Sequence, residues 1–306
     1  MDKILVTGGA GFIGSHVVEE LLARGFFVVV LDDLSTGKLG NLPPDAASLR
    51  IIAGSILDPD TLNEAVVGCD AVIHLAAIAS VQASVENPVL THQVNFDGTL
   101  LLLESARKAG VKRFLFASSA AVYGNAKEGT VPENAPVSPL TPYAVDKLAG
   151  EYYLGHYHRT FGVEYTAYRF FNVYGPRQSP ASPYSGVISI FAANSHAGRV
   201  LKVYGDGMQT RDFIYVKDVA RILVTTIRNQ EMFGKVINIG TGQSTSLRDI
   251  IEKMGVILNK TIEVEYAGAR TGDIRDSLAD IGLLRSLCCE TASTSILDGL
   301  RATIQT

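Results

Sequence analysis

The 306-residue sequence predicts a doubly wound α/β fold, a parallel sheet covered by helices on both faces and followed by a smaller mixed α/β lobe. Three observations predict it. Short apolar runs alternate with helical patterns through the first half of the chain. The first of these runs enters a glycine-rich turn that opens a helix. Beyond Asn172 the alternation gives way to a loop-rich stretch carrying Gly175, Pro176, Pro180, Pro183 and Gly186.

The first strand covers residues 4–7 and runs into Gly8-Gly9-Ala10-Gly11-Phe12-Ile13-Gly14. Apolar positions Phe12, Ile13, Val17, Leu21 and Leu22 then fit one helix face. Glycine at 8, 11 and 14 lets the chain turn tightly and lets phosphates approach with no Cβ in the way. The helix N-terminus adds unpaired N–H groups and a partial positive charge. This strand–turn–helix order predicts a site for a dinucleotide pyrophosphate. A second apolar run, residues 26–31, ends at Asp32, eighteen residues after Gly14. A carboxylate there accepts hydrogen bonds from the adenosine ribose hydroxyls and repels a 2′-phosphate, which favours NAD over NADP.

Further strands are expected at residues 50–53, 71–75, 113–117 and 165–169, with helices starting near Pro59, Pro88 and Pro142. Ligands in such folds sit beyond the carboxyl ends of the strands. Residues 8–14, 32–35, 74–77, 118–119 and Asn172 follow strand ends in this way. Residues 211–216 and 236–240 look like returns toward the main sheet, and helices near 247–258 and 296–304 belong to the smaller lobe. The four prolines of residues 132–142 mark an ordered surface loop.

Composition narrows the function classes. The chain is 47% hydrophobic and 19% charged, the profile of a soluble globular protein. No apolar run approaches the roughly 20 residues that span a bilayer, so no membrane partner is expected. The N-terminus shows no basic-then-apolar leader, which implies a cytoplasmic location. Net charge is −4 with no long basic run, which argues against nucleic acid. Cys69, Cys288 and Cys289 lack C-x-x-C spacing, so no metal is expected. An anionic ligand would need particular arginines, and Arg169, Arg177, Arg211, Arg270 and Arg275 lie in glycine-rich or polar stretches of the second half.

Thr141-Pro142-Tyr143-Ala144-Val145-Asp146-Lys147 is the second informative motif. Thr141 suits an N-cap and Pro142 the first helical turn. Tyr143 and Lys147 then share one helix face. A lysine one turn away favours phenolate and is expected to lower the tyrosine from its usual ~10. A tyrosine so poised can take a proton from a sugar hydroxyl and return it. Ser118-Ser119, at the end of another strand, offers a hydroxyl that can bridge the reacting oxygen to Tyr143.

With these motifs the chain resembles the extended short-chain dehydrogenase/reductase superfamily, and within it the nucleotide-sugar epimerases of the UDP-glucose/galactose 4-epimerase group. Matching segments run from Thr7 through residues 118–124, 143–147, 169–178, 211–214 and 238–242 to Arg270-Thr271-Gly272-Asp273. The resemblance implies a Rossmann domain over residues 1–172, with returning segments at 211–240, and a UDP-sugar-binding lobe over 173–210 and 241–306. It implies tightly held NAD, a UDP-sugar between the lobes, and a homodimer formed through helices near 88–109 and 143–161.

By position, Ser119, Tyr143 and Lys147 match the catalytic serine, tyrosine and lysine. The implied cofactor contacts are Gly8, Gly11, Phe12, Ile13, Gly14, Asp32, Ser55, Ile56, Leu75, Ala76 and Ala77, with Tyr143 and Lys147. Asn172 matches a residue gripping the diphosphate-sugar, Arg211 and Arg270 the arginines on the pyrophosphate, and Asp273 an acid near the uridine ribose. Val187 and Tyr204 fall where the family lines the uracil pocket. Ser277 falls at a gate beside the hexose, where a small residue leaves room for a 2-acetamido group.

Two departures stand out. Ser55 replaces an aspartate that usually reads the adenine amino group, and Ala79 stands where some epimerases place a lysine. Ala120 and Ala121 replace the Asp-Glu of sugar-nucleotide dehydratases, and Ala120 also argues against UDP-glucuronate decarboxylation. The implied activity is therefore NAD-dependent 4-epimerisation of a UDP-hexose through a 4-keto sugar, with the N-acetylhexosamine pair included. UDP-glucuronate 4-epimerisation is the alternative. A non-catalytic nucleotide sensor on the same fold would typically lack the tyrosine.

Overall fold

The computed structural model describes residues 2–44, 46–125, 129–180, 186–268 and 275–305. Five strands arise in the first 119 residues: β1 (Lys3–Thr7), β2 (Phe27–Asp32), β3 (Leu49–Ala53), β4 (Ala71–His74) and β5 (Arg113–Ser119). Ten follow: β6 (Thr130–Val131), β7 (Glu164–Phe170), β8 (Asn172–Tyr174), β9 (Leu201–Tyr204), β10 (Thr210–Arg211), β11 (Phe213–Tyr215), β12 (Lys235–Ile239), β13 (Thr245–Ser246), β14 (Val264–Ala267) and β15 (Asp276–Ala279).

Seven of them form one parallel sheet in the order β12-β7-β5-β4-β1-β2-β3. Alternation along the strands divides the apolar residues between its two faces. Ile4, Val6, Val28 and Val30 pack with helix Phe12–Ala23 and helix Val216–Thr226. Leu5, Val29 and Leu31 pack on the other side with Leu62, Leu102, Leu103 and Leu154. Both faces are covered, which is why the strands read as continuous apolar runs. The chain steps outward from β1 through β2 to β3, then crosses to β4 on the other side of β1. That reversal opens a crevice at the carboxyl ends of β1 and β4.

A third core holds the remainder together, with Phe191, Leu201, Ile250, Met254 and Leu300 among its buried members. Of the two expected returns, only β12 joins the main sheet, beside β7. Residues 211–216 do not join it. β10 enters a small sheet with β13 and β15, and β11 pairs with β8. The chain turns between them at Asp212, a buried carboxylate that accepts from Thr241, Gly242 and Ala279 and so draws three segments together.

The helix expected from Pro88 onward is broken. Short helices Val81–Glu86 and Pro88–His92 lead into a π-helical turn at Gln93–Asp97 before helix Gly98–Lys108. Asn95, in that turn, uses its side-chain amide to hold both backbone groups of Ile78. Among the described residues no helix is long and apolar enough to cross a membrane.

Candidate active site

Gly8 and Gly14 make the turn after β1 possible. Gly8 has φ +69°, and a Cβ there would stand 2.8 Å from the Ala76 backbone nitrogen. A Cβ on Gly14 would lie 2.0 Å from the Gly8 carbonyl oxygen. Helix Phe12–Ala23 starts from Gly11 with no side-chain cap and no acidic residue in its first turn. Its leading N–H groups therefore face the crevice free for an anion.

Asp32 ends β2 and is buried. One carboxylate oxygen accepts from the Ala10 N–H at 2.9 Å, the other from the Leu34 N–H at 2.9 Å. Two backbone donors fix the carboxylate and leave further lone pairs for a ligand hydroxyl. The bare glycine cradle, the uncapped helix and this fixed acid fit the pyrophosphate and adenosine ribose of NAD.

These groups open into one cleft of about 640 Å³. Gly8, Gly11, Phe12, Ile13, Gly14, Asp32, Ser55, Ile56, Leu75, Ala76, Ala77, Ser119, Tyr143 and Lys147 all line it. Sequence reasoning missed Phe170, Phe171, Val173 and Gln178 as lining residues of this cleft. Phe170 ends β7 and Phe171 follows it, so the strand-end rule already pointed there. The Ser55 hydroxyl accepts from the Leu57 N–H at 3.1 Å, which occupies part of its acceptor capacity.

His74 braces the floor. Its Nδ1 lies 2.7 Å from the Thr7 hydroxyl and its Nε2 2.8 Å from the Thr99 hydroxyl. Thr99 donates onward to the Asn95 carbonyl, and Thr7 accepts from the Ala76 N–H. This chain of donors is satisfied by neutral imidazole with the proton on Nε2. Burial, with Lys147 nearby, pushes His74 down to about 3.

Tyr143 and Lys147 sit on helix Pro142–Phe161, started by Thr141, whose hydroxyl accepts from the Ala144 N–H. Ser119 ends β5 opposite them. The Lys147 ammonium lies 4.9 Å from the Phe116 ring centroid and 5.8 Å from that of Tyr143. Burial pulls Lys147 down to about 8, opposed by Asp146. The expectation that Lys147 lowers Tyr143 is overturned: burial raises the phenol, with a hydrogen bond to Ser119 opposing it. Loss of hydration penalises the phenolate more than a lysine at this distance favours it.

Behind Ser119, Ser118 donates to Glu151 at 2.5 Å, and Arg169 grips the same carboxylate with contacts of 2.9 and 2.7 Å. Arg169 is thus a buried strut beside the strand that carries Ser119 rather than a free anion-binding group. Arg177 pairs with Glu19 and Arg275 with Asp206.

Of the expected substrate residues, Ser119 lines this cleft, while Asn172, Val187, Tyr204, Arg211 and Ser277 lie outside its lining. Asn172 opens β8 beside the lining residues Phe171 and Val173. Val187 starts helix Val187–His196, and Tyr204 ends β9. Arg211 and Ser277 are register partners on β10 and β15, which puts both side chains on one sheet face. Arg211 also donates to the carbonyls of Thr210 and Arg275. Arg270 and Asp273 lie outside the described residues.

A switch-point crevice with this cradle and a Ser–Tyr–Lys cluster defines a dinucleotide-dependent enzyme of the extended short-chain dehydrogenase/reductase type. Residues 4–240 match the model of the NAD dependent epimerase/dehydratase family, and the chain belongs to that family. Its cofactor is NAD. The chain is 40% identical to a putative UDP-glucose 4-epimerase of Methanocaldococcus jannaschii, over 93% of this chain and 92% of that one. The solved UDP-N-acetylglucosamine 4-epimerase of Methanobrevibacter ruminantium, in complex with UDP-N-acetylmuramic acid, superposes with a TM-score of 0.95 at 38% identity, covering 99% of this chain and 97% of that one. The NAD complex of Thermus thermophilus UDP-glucose 4-epimerase gives 0.90 at 38% identity, covering 99% and 98%. More distant relatives include a UDP-glucuronate 4-epimerase and dTDP-glucose 4,6-dehydratases, so the family spans several sugars and reactions.

Proposed function

We propose that the enzyme interconverts UDP-hexoses at C4, UDP-glucose with UDP-galactose and the corresponding N-acetylhexosamines. The observation that carries this reading is the Ser119–Tyr143–Lys147 cluster in the NAD cleft, followed by Ala120 and Ala121. The cluster can move a proton at one sugar hydroxyl. The two alanines supply neither an acid nor a base for eliminating water. NAD, held by the Gly8–Gly14 turn and Asp32, would supply a hydride acceptor that can also return the hydride. Tyr143 takes the O4 proton as the carbonyl forms and gives it back after the ring has turned over. Ser119 hydrogen-bonds the reacting oxygen. Lys147 offsets the phenolate charge.

On this reading residues 1–172, with the returning helix Val216–Thr226 and strand β12, hold NAD, and 173–215 with 241–306 hold the UDP-sugar. Asn172, Val187, Tyr204, Arg211, Arg270 and Asp273 grip the nucleotide end. Ser277, being small, leaves space for an acetamido group. Purified protein is mixed separately with UDP-glucose, UDP-N-acetylglucosamine and UDP-glucuronate, and products are read by NMR. C4 inversion of the first two is expected. Inversion of UDP-glucuronate alone would replace this substrate reading, and 4-keto-6-deoxy product would overturn epimerisation. Ser277→Tyr is expected to abolish turnover of the acetylated sugar and spare UDP-glucose. Equal slowing of both would remove Ser277 as the gate.

A homodimer is part of the same reading. Leu100, Leu101, Tyr153 and Phe161 line an apolar groove between two helices, and Val85 and Val89 are exposed nearby. Light scattering at twice the chain mass supports it, and the monomer mass refutes it.

A further inference from the structure

Gly175-Pro176-Arg177-Gln178 forms a turn that its own sequence does not favour. The Gln178 N–H closes it on the Gly175 carbonyl at 3.4 Å. Arg177 has φ +69°. Proline second with a positive φ third is the type II pattern, and glycine or asparagine usually fills that third position. An arginine there carries a backbone cost, so the turn needs an anchor from elsewhere in the fold.

The anchor is the helix Phe12–Ala23, whose N-terminus faces the NAD cradle. His16 and Glu19 are three residues apart on it and share one face. His16 is 3% exposed, and its Nε2 lies 3.1 Å from the Pro176 carbonyl oxygen. A carbonyl only accepts, so the ring donates from Nε2. Glu19 pairs with the Arg177 guanidinium. Two consecutive turn residues are thus held by one helix that precedes them by 160 and 158 positions. On its other side the turn rests on Val216, since a Cβ at Gly175 would come within 2.5 Å of the Val216 Cγ1. Gln178 follows directly. Its amide donates to the Val173 carbonyl at 3.3 Å, and both residues line the cleft.

We propose that His16 and Glu19 clamp Pro176 and Arg177, and so position Gln178 and the first turn of the UDP-sugar lobe against the NAD cleft. His16, Glu19 and Arg177 are positioning residues. The inference rests on the reading above in which residues beyond 172 hold the UDP-sugar. The same helix then presents its N-terminus to the cofactor and its flank to the substrate lobe, which keeps the two ligands in register.

The test uses the NAD-loaded enzyme, with kcat and KM for UDP-glucose and hydrogen exchange at the Gln178 amide. Arg177→Ala keeps the cost of a positive φ and loses the anchor. KM is expected to rise about two- to fivefold, with kcat within about twofold and NAD retained. Arg177→Gly adopts the positive φ freely and is expected to stay closer to wild type than Arg177→Ala. Glu19→Ala is expected to raise KM as Arg177→Ala does, and the double alanine variant no further. The rival role for Arg177 is direct contact with a substrate phosphate. In that case Arg177→Gly and Arg177→Ala lose equally, and Glu19→Ala, which frees the guanidinium, lowers KM or leaves it unchanged. Either result overturns the proposal. His16→Gln keeps a donor for the Pro176 carbonyl and is expected to hold KM nearer to wild type than His16→Phe. If the buried His16 variants fail to fold, Glu19 and Arg177, which both reach solvent, still decide the matter. Faster exchange at Gln178 is expected in Glu19→Ala and Arg177→Ala, and wild-type exchange in both overturns the clamp. Failure of the epimerase reading, seen as a wild type inactive on every UDP-hexose, is thereby separated from failure of the clamp, which the exchange reports without turnover.

Discussion

Glu151→Ala is expected to destabilise the protein far more than a surface charge deletion. In the native state Glu151 and Arg169 are each 5% exposed. Glu151 accepts from Arg169 twice and from Ser118 once. Truncation leaves a buried guanidinium with the Glu133 carbonyl at 3.1 Å and the Tyr123 ring at 4.7 Å as its remaining company. Breaking a buried pair from one side costs about 3–5 kcal/mol. The orphaned Ser118 hydroxyl adds about 1 kcal/mol. Against a total stability of about 5–15 kcal/mol, that removes roughly a quarter or more. Replacing both partners, as Glu151→Leu with Arg169→Met, removes both charges and is expected to recover most of the loss. Urea unfolding of the NAD-loaded proteins measures it, provided the slope is unchanged so that the midpoint reports stability. The coupling follows from the double-mutant cycle. A single-variant loss below about 1 kcal/mol, or a double variant no better than the single, would refute the strut.

Three further outcomes are expected. Tyr143→Phe should retain the fold and bound NAD while kcat falls by about 10²- to 10⁴-fold, roughly 3–5 kcal/mol in the barrier; near wild-type turnover would show that another group carries the proton. Asp32→Ala should release NAD during purification, measured by mass spectrometry of the denatured protein, and unchanged retention would show that Asp32 only fixes the loop at Ala10 and Leu34. His74 is held at about 3 in the fold, against about 6.5 unfolded. The unfolded chain therefore binds the extra proton as pH falls below about 6.5, and about 2 kcal/mol of stability is lost by about pH 5. Urea midpoints across that interval should flatten by one proton's slope in His74→Gln, and an unchanged slope would assign the effect to other groups.

The parts legible in the sequence were those whose cause is local. The glycine turn, the strand-end acid at Asp32 and the Thr141-Pro142 helix start depend on neighbours within a few residues, and the parallel strands are apolar because both sheet faces are covered. The parts that were not legible depend on distant partners. Arg169 resembles an anion-binding arginine until the fold brings Glu151, eighteen residues away and on another element, against it. Residues 211–216 have the texture of a single strand, yet buried Asp212 divides them between two sheets by accepting from Thr241, Gly242 and Ala279. The π-helical turn at 93–97 has no local breaker such as proline; Asn95 ties it to Ile78, seventeen residues back. Tyr143 was misjudged in direction because spacing reports the neighbouring lysine and not the loss of water.

Under the proposed epimerisation, a reaction that runs both ways, that loss of water has a chemical use. Burial opposes the Tyr143 phenolate and the Lys147 ammonium separately, but in a dry cleft the two charges favour each other more than they would in water. A proton that leaves Tyr143 therefore does so most readily while Lys147 keeps its own. On the proposed epimerase reading the same tyrosine accepts the O4 proton and then returns it to the opposite epimer. A permanent phenolate would be a poor donor in the second half, and an ordinary phenol a poor base in the first. Burial raises Tyr143 and the hydrogen bond with Ser119 draws it only part of the way back, so in the resting cleft it holds its proton.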